Sequence, residues 1–474
     1  MAVISLARFF AAALALCVLV GACDGEASTI SPPTVVATAT ASVDASGTAG
    51  VEATVAPTIA QTSATPAPPP SGFPRLGAYT GIAHTAEDPS FTALDGATAQ
   101  FGSLGNATFR IEVPAAWNGD LVVWAHGFKG FGTVLEVDSP PRALREWLVR
   151  QGYAWAASSY SENGYAPGVG ADDTLAVRNY FVDTVGEPGR IYLVGGSMGG
   201  NVVALSLEHF PGIYDGALAI CGALGGQTQI DYLVSWAHLA AFFAGVELPL
   251  AEGALAVTLA LTGQVSPALG SPDTPTEAGL RFQSAVRLLT GGARPFFVEG
   301  FAEQYLLNFG YILSDPGLQT VTARAATNSE TVYAIADGLG VSAEEINAGV
   351  YRQVADPEAR NAALYPDKVP TSGRLSAPLL TLHNTGDLFV PISQEQEYRA
   401  AAVAAGAGDL LVQRAIRAAG HCQFSAEELT SAFSALVGWV EDGTKPAGDD
   451  LSGDLSTIGM AFTNPLRPGD PGTP

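Results

Sequence analysis

The chain has 474 residues, 47% of them hydrophobic, which is enough apolar material for a large core and one large or two ordinary domains. Its 46 acidic residues outnumber 22 basic ones, for a formal charge of −24. That field disfavours partnership with nucleic acid or anionic lipid surfaces, and it leaves the fold open.

In chain order, the first predicted element is an export signal over residues 1–23. One basic residue, Arg8, precedes the apolar stretch Phe9 to Val20. That stretch is shorter than the roughly 20 residues a membrane-spanning helix needs. It ends in Val20-Gly21-Ala22-Cys23, which resembles a bacterial lipobox. The resemblance implies cleavage before Cys23 and lipid on its sulfur, with an ordinary secretory cleavage nearby as the alternative. Residues 24–71 are Thr, Ala, Pro, Ser and Val with no Lys or Arg. Such a composition buries too little apolar surface to offset chain entropy, which predicts a disordered tether whose role is reach. The Gly/Pro/Asp-rich residues 449–474 are expected to form a flexible tail.

Between these ends, strands and helices alternate, which predicts an α/β fold with a mostly parallel sheet clad by helices. Ala107–Val113 alternates like an early, half-exposed strand, and Asp120–Ala125 is the continuous apolar run of a strand buried on both faces. A helix over 141–151 leads to a strand over 153–158, and Asp172 reads as the N-cap of a helix running to about Val185. Strands follow at 190–194 and 216–221. Residues 224–375 then lack strand runs and carry helical Ala/Leu/Phe patterns, as at 234–244 and 296–311. Strands resume at 378–383 and 410–416, and a helix over 426–439 closes the domain. Both ends of the 224–375 segment return to one sheet, so it is expected to be a large helical cap inserted between late strands of a core formed by 72–223 and 376–448. An independent second domain is the alternative.

The chemistry concentrates at Gly195-Gly196-Ser197-Met198-Gly199, between the strand at 190–194 and a helical pattern from Asn201. This is the strand–turn–helix setting of a G-x-S-x-G nucleophile elbow, whose sharp turn needs small neighbours and lifts the hydroxyl above the sheet. Asp387 lies in Asn384-Thr-Gly-Asp387 just after the strand at 378–383, and His421 in Ala419-Gly-His421 just after the last strand. A Ser hydroxyl is a poor nucleophile until an imidazole accepts its proton, and a carboxylate then fixes the tautomer and stabilises the imidazolium. A lone Gly-Asp turn or a lone His is usually structural; the order Ser197…Asp387…His421 is what makes the three a candidate triad. His126-Gly127-Phe128 follows the strand ending at Ala125. This placement resembles hydrolases that set the residue after His-Gly at the oxyanion hole, and the resemblance implies the N–H groups of Phe128 and Met198 as the oxyanion donors, with His126 expected to bond within its own loop.

On these motifs, residues 107–441 resemble the α/β-hydrolase superfamily. Gly420-His421-Cys422 and Trp439-Val-Glu-Asp-Gly443-Thr-Lys-Pro446 are similar to the tannase and feruloyl-esterase branch. That branch carries a Cys directly before its Ser, bonded to the Cys after its His. Here Gly196 stands before Ser197, and the 224–375 segment has no D-x-D-x-D run to match that branch's calcium-binding lid. After processing, Cys221 and Cys422 are the two cysteines left besides Cys23. Cys221 ends the strand after the elbow strand and is expected beneath the histidine loop, where the two form either a bridge or two buried thiols.

The expectation is a membrane-tethered, extracytoplasmic serine hydrolase, an esterase acting on small or polymeric esters, with no metal and no organic cofactor. Its partners are that substrate and, through a lipid anchor, the membrane. A serine peptidase of the same fold is the runner-up, since amide cleavage uses the same triad, and a non-catalytic binding lipoprotein is the alternative from another class. A dinucleotide-binding reading fails because G-x-G-x-x-G is not matched. Substrate preference is expected to lie in the cap, whose aromatics (Tyr232, Trp236, Phe242, Phe243, Phe296, Phe297, Tyr305, Phe309 and Tyr311) either line a pocket or pack its helices together.

Overall fold

The computed structural model describes residues 63–64, 73–77, 79–80, 82–314 and 320–465. The expected signal, Cys23 and nearly all of the tether lie outside the described residues. Eight strands form the body of one sheet: β1 (Ala97–Leu104), β2 (Ala107–Pro114), β3 (Leu121–Ala125), β4 (Ala154–Ser158), β5 (Ile191–Gly196), β6 (Gly216–Ile220), β7 (Leu379–Asn384) and β8 (Leu411–Ile416). They lie in the order β1-β2-β4-β3-β5-β6-β7-β8, with the two-residue strand Ser63–Ala64 outside β1. β1, β2 and β4 pair antiparallel, and every pairing from β4 through β3 to β8 is parallel. β1 is absent from the sequence-based reading because ATAQFGSL is small and polar. The tight Gly105-Asn106 link, with Gly105 at φ 63°, folds it back onto β2 as a hairpin.

The central strands are buried end to end, as parallel strands covered on both faces are. Alternate residues feed opposite layers. Leu121, Val123 and Ala125 join the core that includes α2 (Pro167–Thr184) and α3 (Met198–His209). Val122 and Trp124 join the one built with α1 (Arg142–Arg150) and α8 (Ala426–Asp442). α2 starts earlier than expected. Pro167 opens it, its fixed φ suiting the first helical position. Asp172 therefore sits inside the helix, where its carboxylate accepts the N–H groups of Leu76 and Gly77 at 3.0 Å each.

Between β6 and β7 the chain runs through α4 (Thr228–Ala244), α5 (Glu277–Leu289) and α6 (Phe297–Ser314), with shorter helices and a two-strand hairpin among them. Most of the aromatics in this segment pack its helices: Trp236 meets Phe282, Phe301, Tyr305 and Phe309 at centroid distances of 5.0–6.4 Å. After α7 (Ser393–Ala404) and β8, α8 closes the layer, opened by a capping box of Ser425 and Glu428. Residues 449–465 depart from the expected flexible tail. Leu451, Leu455 and Ile458 recur at helical spacing and are buried with Ile392 and Ala415. Asp449 accepts the Ala415 N–H at 2.8 Å, and the Arg417 Nε donates to the Ile458 carbonyl at 2.8 Å.

Candidate active site

Ser197 stands between the end of β5 and the start of α3 with φ 56° and ψ −120°. A non-glycine residue in that region costs of order 1–3 kcal/mol and persists only where its surroundings impose it. Here they do. The Ser197 N–H donates to the Ile220 carbonyl at 2.9 Å, and its carbonyl accepts from Gly200 and Ala223. A Cβ at Gly195 would collide with the Gly199 carbonyl, and one at Gly199 with the Ala125 carbonyl. The turn therefore closes only with glycine on both sides, and the hydroxyl stands at the N-terminus of α3.

The loops after β7 and β8 bring the other two residues to that hydroxyl. His421 Nε2 lies 2.8 Å from Ser197 Oγ, and its Nδ1 lies 2.6 Å from Asp387 Oδ2. Asp387 is fully buried, and its Oδ1 accepts the N–H groups of Phe389 and Val390 at 3.0 Å each. Both carboxylate oxygens are thus engaged, one by the imidazole and one by the loop's own backbone. The sequence-derived triad residues come together in one continuous chain of hydrogen bonds.

Met198 follows Ser197 directly, and Phe128 follows Gly127 in the loop after β3. Met198 is the first residue of α3, where an N–H has no partner within the helix. Gly127 packs against Ser197, a Cβ there being 3.1 Å from the Ser197 Cβ. Among the described residues, no main-chain carbonyl takes the N–H of Phe128 or Met198. His126 folds back on its own loop, Nδ1 2.7 Å from the Gly127 carbonyl and its ring stacked on Tyr160 at 3.8 Å. Burial lowers its pKa, which keeps it neutral.

Charged groups surround the acid loop. Arg294 donates from Nε to the Thr385 carbonyl at 2.6 Å, and burial brings its guanidinium down to about 10. Beneath the loop, His383 places Nε2 2.8 Å from the Val390 carbonyl and Nδ1 3.2 Å from buried Glu395. Burial alone pulls its pKa down, but the Glu395 carboxylate outweighs it and the net shift is upward. Glu303, on α6, is raised by burial first and by the Asp387 charge second.

Cys221 and Cys422 are disulfide-bonded, their Cα atoms 5.2 Å apart, so the histidine loop is tied to the end of β6. Cys221, His421 and Cys422 bring three potential metal-ligand atoms within 4.8 Å. The two sulfurs are bonded to each other and both imidazole nitrogens face triad partners, so this donor set does not suit a cation.

Contacts from the inserted segment were not legible in the sequence. Tyr232 Oη and Asn308 Nδ2 donate to the Leu388 carbonyl at 2.6 and 2.8 Å, and Gln229 Nε2 donates to the Phe389 carbonyl at 2.6 Å. The same segment holds a cavity of about 380 Å³ walled by Ile230, Leu233, Val234 and Leu250, with His238, Gln353 and the Arg324–Asp356 ion pair as its polar members. Of the aromatics expected to line a pocket, Tyr311 does so among the described residues. Its ring lies 5.2 Å from Phe128 and 6.1 Å from Phe389, which in turn stands 5.4 Å from His421. Tyr311 is therefore the lining residue that connects this cavity to the aromatic rings beside His421.

No family model matches the chain. The o-phthalyl amidase of Xanthobacter agilis is 21% identical over 421 residues, which is 75% of this chain and 90% of the relative. Feruloyl esterase B from Aspergillus oryzae superposes on 76% of this chain and 84% of its own, with a TM-score of 0.43 and 15% identity. Tannin acyl hydrolase from Aspergillus niger covers 72% of this chain and 76% of its own, at a TM-score of 0.35 and 13% identity. The chain's own architecture speaks more directly: a mostly parallel sheet between helical layers, a strained serine between β5 and α3, and a chain order of Ser, Asp and His, each past a strand end. By that architecture the chain has the α/β-hydrolase fold.

Proposed function

We propose that this protein is a serine hydrolase that cleaves carboxylic esters through an acyl-enzyme on Ser197. The observation that carries the reading is the continuous line Ser197 Oγ–His421 Nε2–His421 Nδ1–Asp387 Oδ2, at 2.8 and 2.6 Å, on a strained elbow. As Ser197 attacks the acyl carbonyl, its proton passes to Nε2, and the imidazolium is stabilised at Nδ1 by Asp387. The carbonyl oxygen gathers charge and meets the N–H groups of Phe128 and Met198, donors worth about 3 kcal/mol each in comparable sites. Collapse of the tetrahedral intermediate breaks the bond to the alcohol, which takes the proton from Nε2. Water, deprotonated by the same nitrogen, then releases the acid. The apolar cavity behind Tyr311 takes the apolar part of the substrate; its volume of about 380 Å³ lies in the usual range for small-molecule sites.

Amide cleavage is the second reading, favoured by the amidase relative that aligns over 90% of its own length. The proton held on Nε2 serves an amine leaving group equally well. By the lipobox resemblance we also place the enzyme on the outer face of a membrane, anchored through Cys23. Fluorophosphonate labelling, followed by a panel of p-nitrophenyl esters and matched anilides, tests the assignment. Ester turnover with labelling at Ser197 is expected. Anilide turnover without ester turnover would reverse the ranking, and absence of both labelling and turnover would leave a binding protein.

A further inference from the structure

α6 turns one face toward the two loops that carry Asp387 and His421. Gly300, Gln304 and Asn308 recur on that face every four residues. Gly300 makes the close approach possible, because a Cβ there would collide with the carbonyl oxygens of Gly386 and Ala419. One of these belongs to the acid loop and the other to the histidine loop. Four residues on, Gln304 is 2% exposed and reaches both loops at once. Its Oε1 accepts the N–H groups of Leu388 and Phe389 at 2.9 and 2.7 Å. Its Nε2 donates to the carbonyls of Gly386 at 3.2 Å and Ala419 at 2.9 Å. Two N–H groups on one side and two carbonyls on the other fix which end is oxygen, and all four hydrogen-bonding positions of the amide are used.

We propose that Gln304 is a positioning residue for the triad, which sets the spacing between Asp387 and His421 by binding the loops of both; this rests on the serine-hydrolase reading. The loops leave different strands, β7 and β8, and the Nδ1–Oδ2 contact of 2.6 Å depends on their register. The loops also meet directly, the Gly386 N–H donating to the Ala418 carbonyl at 2.9 Å and Asn384 exchanging two bonds with the Gln423 backbone. To these the carboxamide adds a bridge that touches main chain on either side of Asp387 and two residues before His421. Asn308 adds a bond to the Leu388 carbonyl on the acid side alone. Burying an amide with all its partners is favourable only while both loops hold their places, so the residue rewards the assembled geometry. A misplacement of about 1 Å in such a constellation costs on the order of 10²-fold in rate.

The test compares Gln304→Met, which keeps the side chain's length without its hydrogen bonds, with Gln304→Glu. Wild type is first labelled with a fluorophosphonate. If Ser197 is not labelled, the serine-hydrolase reading itself fails, and the proposal with it. With wild type labelled, folded Gln304→Met is expected to lose on the order of 10²-fold in kcat, with KM within about twofold, since no substrate group is removed. Unchanged kcat in the folded variant would overturn the proposal. Gln304→Glu decides the matter if the Met variant does not fold. Protonated, its carboxyl offers one O–H donor and a carbonyl acceptor, close to the native pattern. Ionised, it turns oxygens toward the Gly386 and Ala419 carbonyls and adds charge beside Asp387, with Glu303 on the same helix and Arg294 behind the loop. Its kcat relative to wild type is therefore expected to be higher at pH 5 than at pH 8, and a ratio that does not change with pH would refute the positioning role.

Discussion

Cys422 is bonded to Cys221 directly after His421 in the chain, so the imidazole is carried by a loop fastened to the end of β6. Both cysteines hold positive φ, 48° and 59°, in the left-handed region that non-glycine residues seldom occupy. The bridge closes a loop with a sequence separation of 201, for which the chain-entropy model gives roughly 5 kcal/mol. The double variant Cys221→Ser, Cys422→Ser is expected to melt several degrees lower and to lose activity before it unfolds. Thermal melts and turnover followed in parallel with increasing reductant check this. Coincident loss of both signals would show that the bridge serves the whole domain and not the loop.

Ser197→Ala is expected to remove fluorophosphonate labelling and to lower turnover by several powers of ten, because triad members act as a unit. Asp387→Asn is expected to cost about 10⁴-fold. Its amide oxygen can still accept from Phe389 and Val390, which turns the NH₂ toward His421 Nδ1 and forces the ring's proton onto Nε2, where it cannot receive the serine proton. Steady-state kinetics and the labelled peptide decide it; retained activity in the Asn variant would place the acid elsewhere.

The cavity in the inserted segment offers a prediction about substrate size. Val234→Phe narrows a wall of the cavity in the inserted segment without touching the triad. Hydrolysis of long or aromatic acyl esters is expected to fall by on the order of tenfold, as one or more lost apolar contacts would give. Acetate esters, which reach no further than Ser197, are expected to change little. Equal loss on both would separate the cavity from substrate binding.

Acidity sets another expectation. Asp173 accepts the Ser161 N–H and hydroxyl at 2.7 Å each, yet burial raises its carboxyl to about 6, with Asp172 adding to the rise and Arg75 opposing it. A folded-state value above the unfolded one means that the folded chain binds the proton more tightly. The stability this adds is full below about 4 and lost as pH rises through about 6. The gap of roughly two pH units corresponds to about 3 kcal/mol at most. Asp173→Asn, which keeps an acceptor for Ser161, is therefore expected to stabilise the protein at pH 8 and to do so far less at pH 4. Denaturation midpoints at the two pH values measure it, and a gain of equal size at both would contradict the assignment of the cost to ionisation.

The cluster of Ser197, Asp387 and His421 was legible because each residue has a local signature: glycines about a serine after an apolar run, and turn residues at the ends of two later runs. Those signals need no knowledge of distant neighbours. Gln304 has none. A glutamine on a helix is an ordinary polar residue until the Gly386 and Ala419 carbonyls, 82 and 115 positions away in sequence, are brought to it. β1 was hidden for a different reason, since its pairing is decided by the Gly105-Asn106 turn and not by an apolar pattern. At the start of α2, Asp172 has the residue type of a cap, but Pro167 had already begun the helix, and the carboxylate served the chain at Leu76 and Gly77. Residues 449–465 scatter their apolar side chains among glycines, acids and hydroxyl residues, and the partners of buried Leu451, Leu455 and Ile458, Ile392 and Ala415, lie elsewhere in the chain.

The close fit of Gly300 to the acid and histidine loops bears on how this enzyme can be altered. Segments that cover a catalytic face invite exchange, since trading one for another promises a new substrate range on an old scaffold. By the positioning role proposed for Gln304, such a graft would carry away part of the frame that holds the loops of Asp387 and His421. A working chimera would have to transplant the pattern Gly300, Gln304 and Asn308 along with whatever new walls it brings, and random libraries confined to the cavity side of α6 would be safer ground than wholesale replacement.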